Sequence, residues 1–428
     1  MHGQDRGMRR VGLPGNVCRI ALRLEGGLNA HLLRERAKSS TMLNWLARVR
    51  ITRPVPVFPP VWRTVATPRA VLHEHNGQKL NRAGPDQLPR AVLERDLHAG
   101  RGPALALDLV SRGDESWDLV VSWNHALMDV RGAELVLRHL NSEQAVEDSS
   151  ADAEWISPDQ KRSSMSRWWR NVKCARSSIE WLRTSGREPL FSLLPTGRPT
   201  GPCRGDSRMI SFSREDTDRI QARCERLNAG FRRSHFYLAA LLRAVHTVAS
   251  ARGNKEGAYL VPVPHDLRKR GSSGPIFSNH LSILFYRIEP HQAVCLSKII
   301  DELSLQMADQ IRTRFPECCM AALEMFKPLP LDYYLHHLGG PTRGKFATLC
   351  FSDSGETCSG MSDLLGGRIQ AVTHFVPTWR PPGLTVLFWS FAGQLRVLLA
   401  WVDDCLGPGE VNTLEQGLRT GLLEEEIP

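Results

Sequence analysis

Between Trp117 and Leu140 the chain passes through three kinds of local structure with almost nothing between them. Trp117-Asp-Leu-Val-Val-Ser-Trp123 is dense in strand formers and runs directly into Asn124-His125-Ala126-Leu127-Met128-Asp129. After Gly132, the spacing of Leu135, Val136 and Leu140 fits a helix. A strand that ends on a histidine, turns within a few residues and re-enters a helix holds an imidazole at a strand end, facing a cleft. In its neutral form such a ring takes a proton from a hydroxyl or amine as that group attacks a carbonyl. Spacing alone carries little, since roughly one His-x-x-x-Asp is expected by chance in a chain with 15 histidines. Asp129 is placed to turn back and fix the loop rather than to reach the ring, and if buried it needs a cationic partner.

The rest of the chain repeats the mixture of strands and helices. With 428 residues, it has room for two or three domains at roughly 150 residues each. A strand at 17–24 leads through Gly26-Gly27 to a helix at 29–38, and a strand at 104–109 is the natural partner of 117–123. Residues 161–187 show Trp168, Trp169, Val172, Ile179 and Leu182 at helical spacing, a basic amphipathic helix. The Pro- and Gly-rich stretch after it reads as an interdomain crossing. Beyond the crossing, a strand at 208–212 precedes Ser213-Arg-Glu-Asp, a capping-box-like helix start. A long helix at 234–251 follows, then a strand at 259–263. The apolar stretch Leu384 to Val402 is interrupted by Gly393, Gln394 and Arg396 and reads as a hairpin rather than a membrane span. The expected division is an N-terminal unit at 1–190, a crossing at 191–207 and a C-terminal unit at 208–428.

The net charge of +10 points to an anionic partner without choosing one. It is concentrated in two places: residues 1–54 hold eleven Lys or Arg against three acids, and residues 161–187 hold eight against one, which leaves the remainder net negative. Two local patches suit a lipid surface or a phosphorylated donor better than nucleic acid, for which no module signature is present. The ten cysteines form no C-x-x-C pair and read as reduced and cytosolic; no apolar stretch of signal-peptide length follows Arg6, Arg9 and Arg10. His73-Glu-His75 lacks a third ligand, so no metal is expected. Gly339 to Lys345 imitates a phosphate-binding loop, but Phe346 stands where Ser or Thr is required. No G-x-S-x-G elbow exists.

Asn-His-Ala-Leu-Met-Asp-Val-Arg-Gly closely resembles the His-His-x-x-x-Asp-Gly signature of the chloramphenicol-acetyltransferase-like superfamily. That superfamily includes condensation domains and bacterial wax-ester synthase and diacylglycerol acyltransferase enzymes. The resemblance spans nearly the whole chain: Gly102-Pro-Ala-Leu approaches the motif strand, Ser234-His-Phe-Tyr-Leu-Ala-Ala-Leu is similar to the long family helix, and Val261-Pro-Val-Pro-His-Asp-Leu-Arg with Asn279 is similar to the family's Pro-Val-Asp-x-Arg and downstream Asn. It implies an α/β fold of two such subdomains packed as a pseudo-dimer, with one active site in the tunnel between them.

By the same resemblance, His125 matches the catalytic general base and Asp129 the structural aspartate, with Arg268 its candidate partner. Asn124 replaces the first, supporting histidine, and Val130 replaces the glycine after the aspartate, which requires that turn to avoid positive φ. Gly132 belongs to the same site. Ser352 and Asn279 are candidates for the oxyanion or the tunnel wall. The implied reaction transfers an acyl group from acyl-coenzyme A or a phosphopantetheinyl acyl carrier to an alcohol or amine, with no bound cofactor. The expected setting is a cytoplasmic monomer, with the 161–187 helix suited to an anionic membrane surface. The departures at Asn124 and Val130 motivate the alternative of a non-catalytic binding or carrier-docking protein.

Overall fold

The computed structural model describes residues 1–53, 59–66, 71–76, 88–113, 115–142, 165–187, 189–195, 197, 201–268, 274–327, 329–330, 332–333, 336, 342 and 344–424. In the first half the elements are α1 (His2–Arg10), β1 (Val17–Glu25), α2 (Ala30–Ser39), α3 (Thr41–Arg48), β2 (Val49–Thr52), β3 (Val61–Thr64), β4 (Leu72–Asn76), α4 (Arg90–Leu93), β5 (Leu105–Gly113), β6 (Ser116–Asn124), α5 (Val130–Asn141) and α6 (Met165–Arg187). The second half holds β7 (Gly205–Ser211), α7 (Arg214–Arg226), α8 (Arg233–Ala251), β8 (Tyr259–Asp266), β9 (Leu281–Ile288), α9 (Leu296–Arg312), α10 (Phe315–Phe326), β10 (Cys350–Glu356), β11 (Asp363–Leu364), β12 (Gly367–Phe375), β13 (Leu384–Phe391), β14 (Gln394–Val402) and α11 (Pro408–Leu423).

Two sheets organise these elements. The first is six-stranded, in the order β11-β12-β1-β6-β5-β4. Its central strands alternate Ile20, Leu22 and Leu24 with Leu119, Val121 and Trp123 toward Leu33, Leu43, Val136 and Leu140 of the covering helices. The second is four-stranded, in the order β10-β13-β14-β7. It packs Phe388, Val397 and Leu399 against α8 and α11 through Phe236, Leu241, Leu414 and Leu418. The apolar stretch near the C-terminus is the expected hairpin, β13 paired antiparallel with β14 through Ala392 and Gly393, both at positive φ. The β8–β9 pair joins this sheet where Thr348 donates its backbone N–H to the Leu260 carbonyl at 2.8 Å.

The boundary expected at 191–207 follows chain order, and the structure crosses it twice. Strand β12 pairs antiparallel with β1, from Arg19 opposite Phe375 to Glu25 opposite Arg368, so a second-half strand completes the first-half sheet. In return, Met8 and Leu13 of the first half are buried in the second-half core. The six-stranded sheet thus draws strands from both halves, whereas the four-stranded sheet is built from second-half strands alone.

The cysteine expectation is corrected as well. Cys174 of α6 and Cys318 of α10 form a disulfide, with their Cα atoms 4.5 Å apart. Packing of α6 along α10 brings together two residues 144 positions apart, a pairing that spacing alone does not reveal. Trp181 of α6 wedges between Phe285 and Phe315, with ring centroids 5.9 and 5.1 Å away. Lys173, Arg176 and Arg183 lie on the exposed side of the helix. The side chain of Trp168 lies outside the described residues, as do residues 161–164. Among the described residues no helix is long and apolar enough to cross a membrane.

Candidate active site

Strand β6 is buried from Asp118 onward, and its end is fixed before the turn begins. Asn124 donates its backbone N–H to the Ala104 carbonyl at 2.8 Å, and His125 donates its own to Asn16 at 2.7 Å. The indole of the fully buried Trp123 donates to the Met128 carbonyl at 2.9 Å. That same carbonyl accepts from His125 Nδ1 at 3.2 Å. Two groups meet Nδ1 at 3.2 Å, the Met128 carbonyl and the Asn279 amide nitrogen; in the tautomer that donates Nδ1–H to Met128, Nε2 holds the ring's lone pair, and no side chain or carbonyl among the described residues is bonded to it. Burial pushes the His125 pKa below its ordinary 6.5, against the opposing pull of Met128 and Asp129, so the ring is neutral at neutral pH.

Asp129 does not face the ring. Its side chain caps α5 by accepting from the Gly132 N–H at 3.0 Å. The second half supplies the remaining partners: Arg268 donates to both carboxylate oxygens at 2.9 Å, and the His280 N–H donates to Oδ2 at 3.0 Å. Both side chains of the ion pair are at most 5% exposed, so the charge of each depends on the other. Val130 begins the helix and is not among the residues at positive φ, in keeping with the turn that the sequence requires. Gly132 is fixed by packing: a Cβ there would lie 2.5 Å from the Ile276 carbonyl oxygen.

The other candidates fall in three places. Asn124 is fully buried and turned away from the cavity, with its Nδ2 donating to the Leu97 carbonyl at 3.0 Å and its Oδ1 accepting from the Ala126 N–H at 3.1 Å. Asn279 does not line the cavity. Its Nδ2 donates to the His125 carbonyl at 2.6 Å and lies 3.2 Å from His125 Nδ1, so the amide sits against the histidine rather than on the cavity wall. Ser352, on β10, does line the cavity.

The cavity measures about 730 Å³, within the range of small-molecule sites. His125, Asp129 and Glu134 face it from the first half; Pro262, Ile283, Ser352 and Leu387 face it from the second. One wall is the clipped helix pair, through Ile179 and Leu182 of α6 and Ala322, Leu323 and Phe326 of α10. In the sequence only the apolar face of α6 hints at this wall. Burial raises the Glu134 carboxyl pKa against the pull of Arg131, and it pushes the cavity thiols Cys18, Cys319 and Cys350 up to about 12, which leaves them protonated and poor nucleophiles. His75 is bonded to Asp108 at 2.7 Å, with Arg95 on the same carboxylate; no cluster of metal-ligating side chains occurs among the described residues.

No family model and no curated protein sequence matches the chain. Solved structures do. Trichothecene 15-O-acetyltransferase from Fusarium sporotrichioides superimposes with a TM-score of 0.69 at 14% identity, over 98% of this chain and 92% of that one. The first condensation domain of the CDA synthetase gives 0.68 at 14% identity, over 99% and 95%. A wax ester synthase/diacylglycerol acyltransferase from Marinobacter aquaeolei VT8 gives 0.58 at 14% identity, over 98% and 97%. The chain therefore has the chloramphenicol-acetyltransferase-like fold, two α/β subdomains around a shared cavity. Of these three structural neighbours two are acyltransferases by name and the third is a condensation domain.

Proposed function

We propose that the protein is an acyltransferase that moves an acyl group from a thioester donor, acyl-coenzyme A or a phosphopantetheinyl acyl carrier, to an alcohol or amine. The observation that carries this reading is the His125 ring: Nδ1 is held by a carbonyl that Trp123 itself fixes, and Nε2 is left open beside an apolar cavity. As the acceptor's oxygen or nitrogen attacks the thioester carbon, Nε2 takes its proton. The C=O electron pair moves onto oxygen, where the Ser352 hydroxyl is the candidate donor. When the tetrahedral intermediate collapses, the C–S bond breaks and the imidazolium returns the proton to the departing thiolate. Histidine ends neutral, and no covalent acyl-enzyme is formed.

Arg268 and Asp129 hold the turn, and orientation of two bound substrates supplies the main rate term. A neighbouring starter condensation domain of rhizomide synthetase was solved with C8-CoA and Leu-SNAC, which supports a thioester donor by analogy of fold. Exposed Lys173, Arg176 and Arg183 on α6 keep docking on an anionic lipid surface within this reading. The test is thiol release from a panel of acyl-coenzyme A donors with hydroxyl and amine acceptors, run beside His125→Ala. A fall of about 10²-fold or more in the variant is expected. Equal release by both proteins overturns the reading.

A further inference from the structure

The turn that carries His125 is gripped from a direction in which the sequence motif has no residue. Asp5 of α1 is fully buried. Its Oδ1 accepts from the Asn16 backbone N–H at 2.7 Å and from Asn124 Nδ2 at 3.1 Å. Each acceptance continues into the turn. Asn16 passes its carbonyl to the His125 N–H at 2.7 Å, and Asn124 passes its Oδ1 to the Ala126 N–H at 3.1 Å. One carboxylate oxygen thus sits behind both the amide of the histidine and the amide that follows it.

Arg9, one helical turn after Asp5, closes the arrangement. It donates to Asp5 Oδ2 at 3.2 Å and to the Leu97 carbonyl at 3.2 Å, the carbonyl that Asn124 Nδ2 also reaches. Asn124 and Asn16 are at most 4% exposed, so an amide left without its acceptor here meets no water to replace it. Gly15 follows from the same crowding, because a Cβ there would collide with both Asp5 and Arg9.

We infer that Asp5 is a positioning residue for His125, acting through Asn124 and Asn16, and that α1 is thereby part of the active site. The inference also explains Asn124: an amide at that position offers one donor pointing to Asp5 and one acceptor pointing to the turn, and both are used. It rests on the proposed role of His125 for its kinetic consequence but not for its structural one, and the test separates the two.

Asp5→Ala, Asp5→Asn and Met8→Ala would be compared with the parent protein. Met8 lies on α1, buried in the second-half core, and Met8→Ala loosens the helix without touching the network. The first readout is the ¹⁵N signature of the His125 ring, assigned by its loss in His125→Ala. Asp5→Ala is expected to replace the single Nδ1–H form by a mixture, and Asp5→Asn, which keeps an oxygen acceptor, to preserve most of it. The second is acyl transfer, with kcat expected to fall about tenfold or more in Asp5→Ala while KM stays within about twofold. An unchanged ring signature in Asp5→Ala, or an equal change in Met8→Ala at matched loss of thermal stability, overturns the inference. Loss of the signature in a protein with no transferase activity retains the positioning role and rejects the proposed reaction.

Discussion

Each half of the molecule carries the same local device, an antiparallel hairpin that passes through a short turn into a helix. In the first half, β5 and β6 lead through residues 125–129 into α5; in the second, β13 and β14 lead through residues 403–407 into α11. The second turn is tied down by its own half. Arg252, at the C-terminal cap of α8, donates to the Cys405 carbonyl at 2.8 Å and pairs with Glu410, whose carboxylate also accepts the Gly407 N–H at 2.8 Å. None of its residues lines the cavity. The first turn instead leaves its key charge to be satisfied by Arg268, its histidine carbonyl by Asn279, and the Leu127 carbonyl by the Ser278 N–H at 2.7 Å, all from the other half. A strand-to-helix turn becomes a candidate site when its partners come from across the cleft.

The largest separation of the two turns should come from their arginines. Arg268→Ala leaves the buried Asp129 charge without its cation, an expected loss of about 3–5 kcal/mol together with collapse of acyl transfer. Arg252→Ala breaks a pair in which both side chains are about a third exposed, so its effect on stability should be well below that of Arg268→Ala, with transfer per folded molecule retained. Chemical denaturation and thiol release on the same samples check both.

Glycines sharpen the contrast at smaller cost. Gly132→Ala forces a methyl toward the Ile276 carbonyl, a backbone atom of the other half, and should cost about 1–3 kcal/mol and shift the turn. Gly409, near the start of α11, has open space around the same methyl, so Gly409→Ala should be neutral or slightly stabilising by thermal denaturation.

The smallest difference is in pH. The Cys405 thiol is pushed up to about 12, whereas the first turn carries the His125 ring. Because burial lowers the His125 pKa, the base stays unprotonated below the ordinary value, and kcat/KM should fall on the acid side with an apparent pKa under 6.5. The same profile is expected from Gly409→Ala.

The sequence made the first turn legible and left its attachments unread. Strong periodicity marks β1, β6, α5 and α8 close to their positions, and the family resemblance implies the pairing of Asp129 with Arg268 next to His125 that the two 2.9 Å contacts show. The crossing of β12 was not legible, because Gly-Arg-Ile-Gln-Ala-Val-Thr-His-Phe carries too few apolar residues to mark a central strand; it owes its place to β1 and β11 on either side. Helix α1 has a polar composition and hides Asp5 among the four side chains His2, Arg6, Arg9 and Arg10 of an apparently basic segment. The roles of Asn279 and of the Cys174–Cys318 bond depend on partners more than a hundred residues away, which no local pattern encodes.

The most direct test of a site built across the cleft is a structure with a thioether analogue of an acyl-coenzyme A, in which the reacting carbonyl is retained and the scissile bond cannot break. The acyl carbon is expected in the cavity between His125 and Ser352, with Nε2 facing the side from which an acceptor attacks. An analogue bound elsewhere, or one that leaves the Nε2 side blocked by protein, would contradict the account.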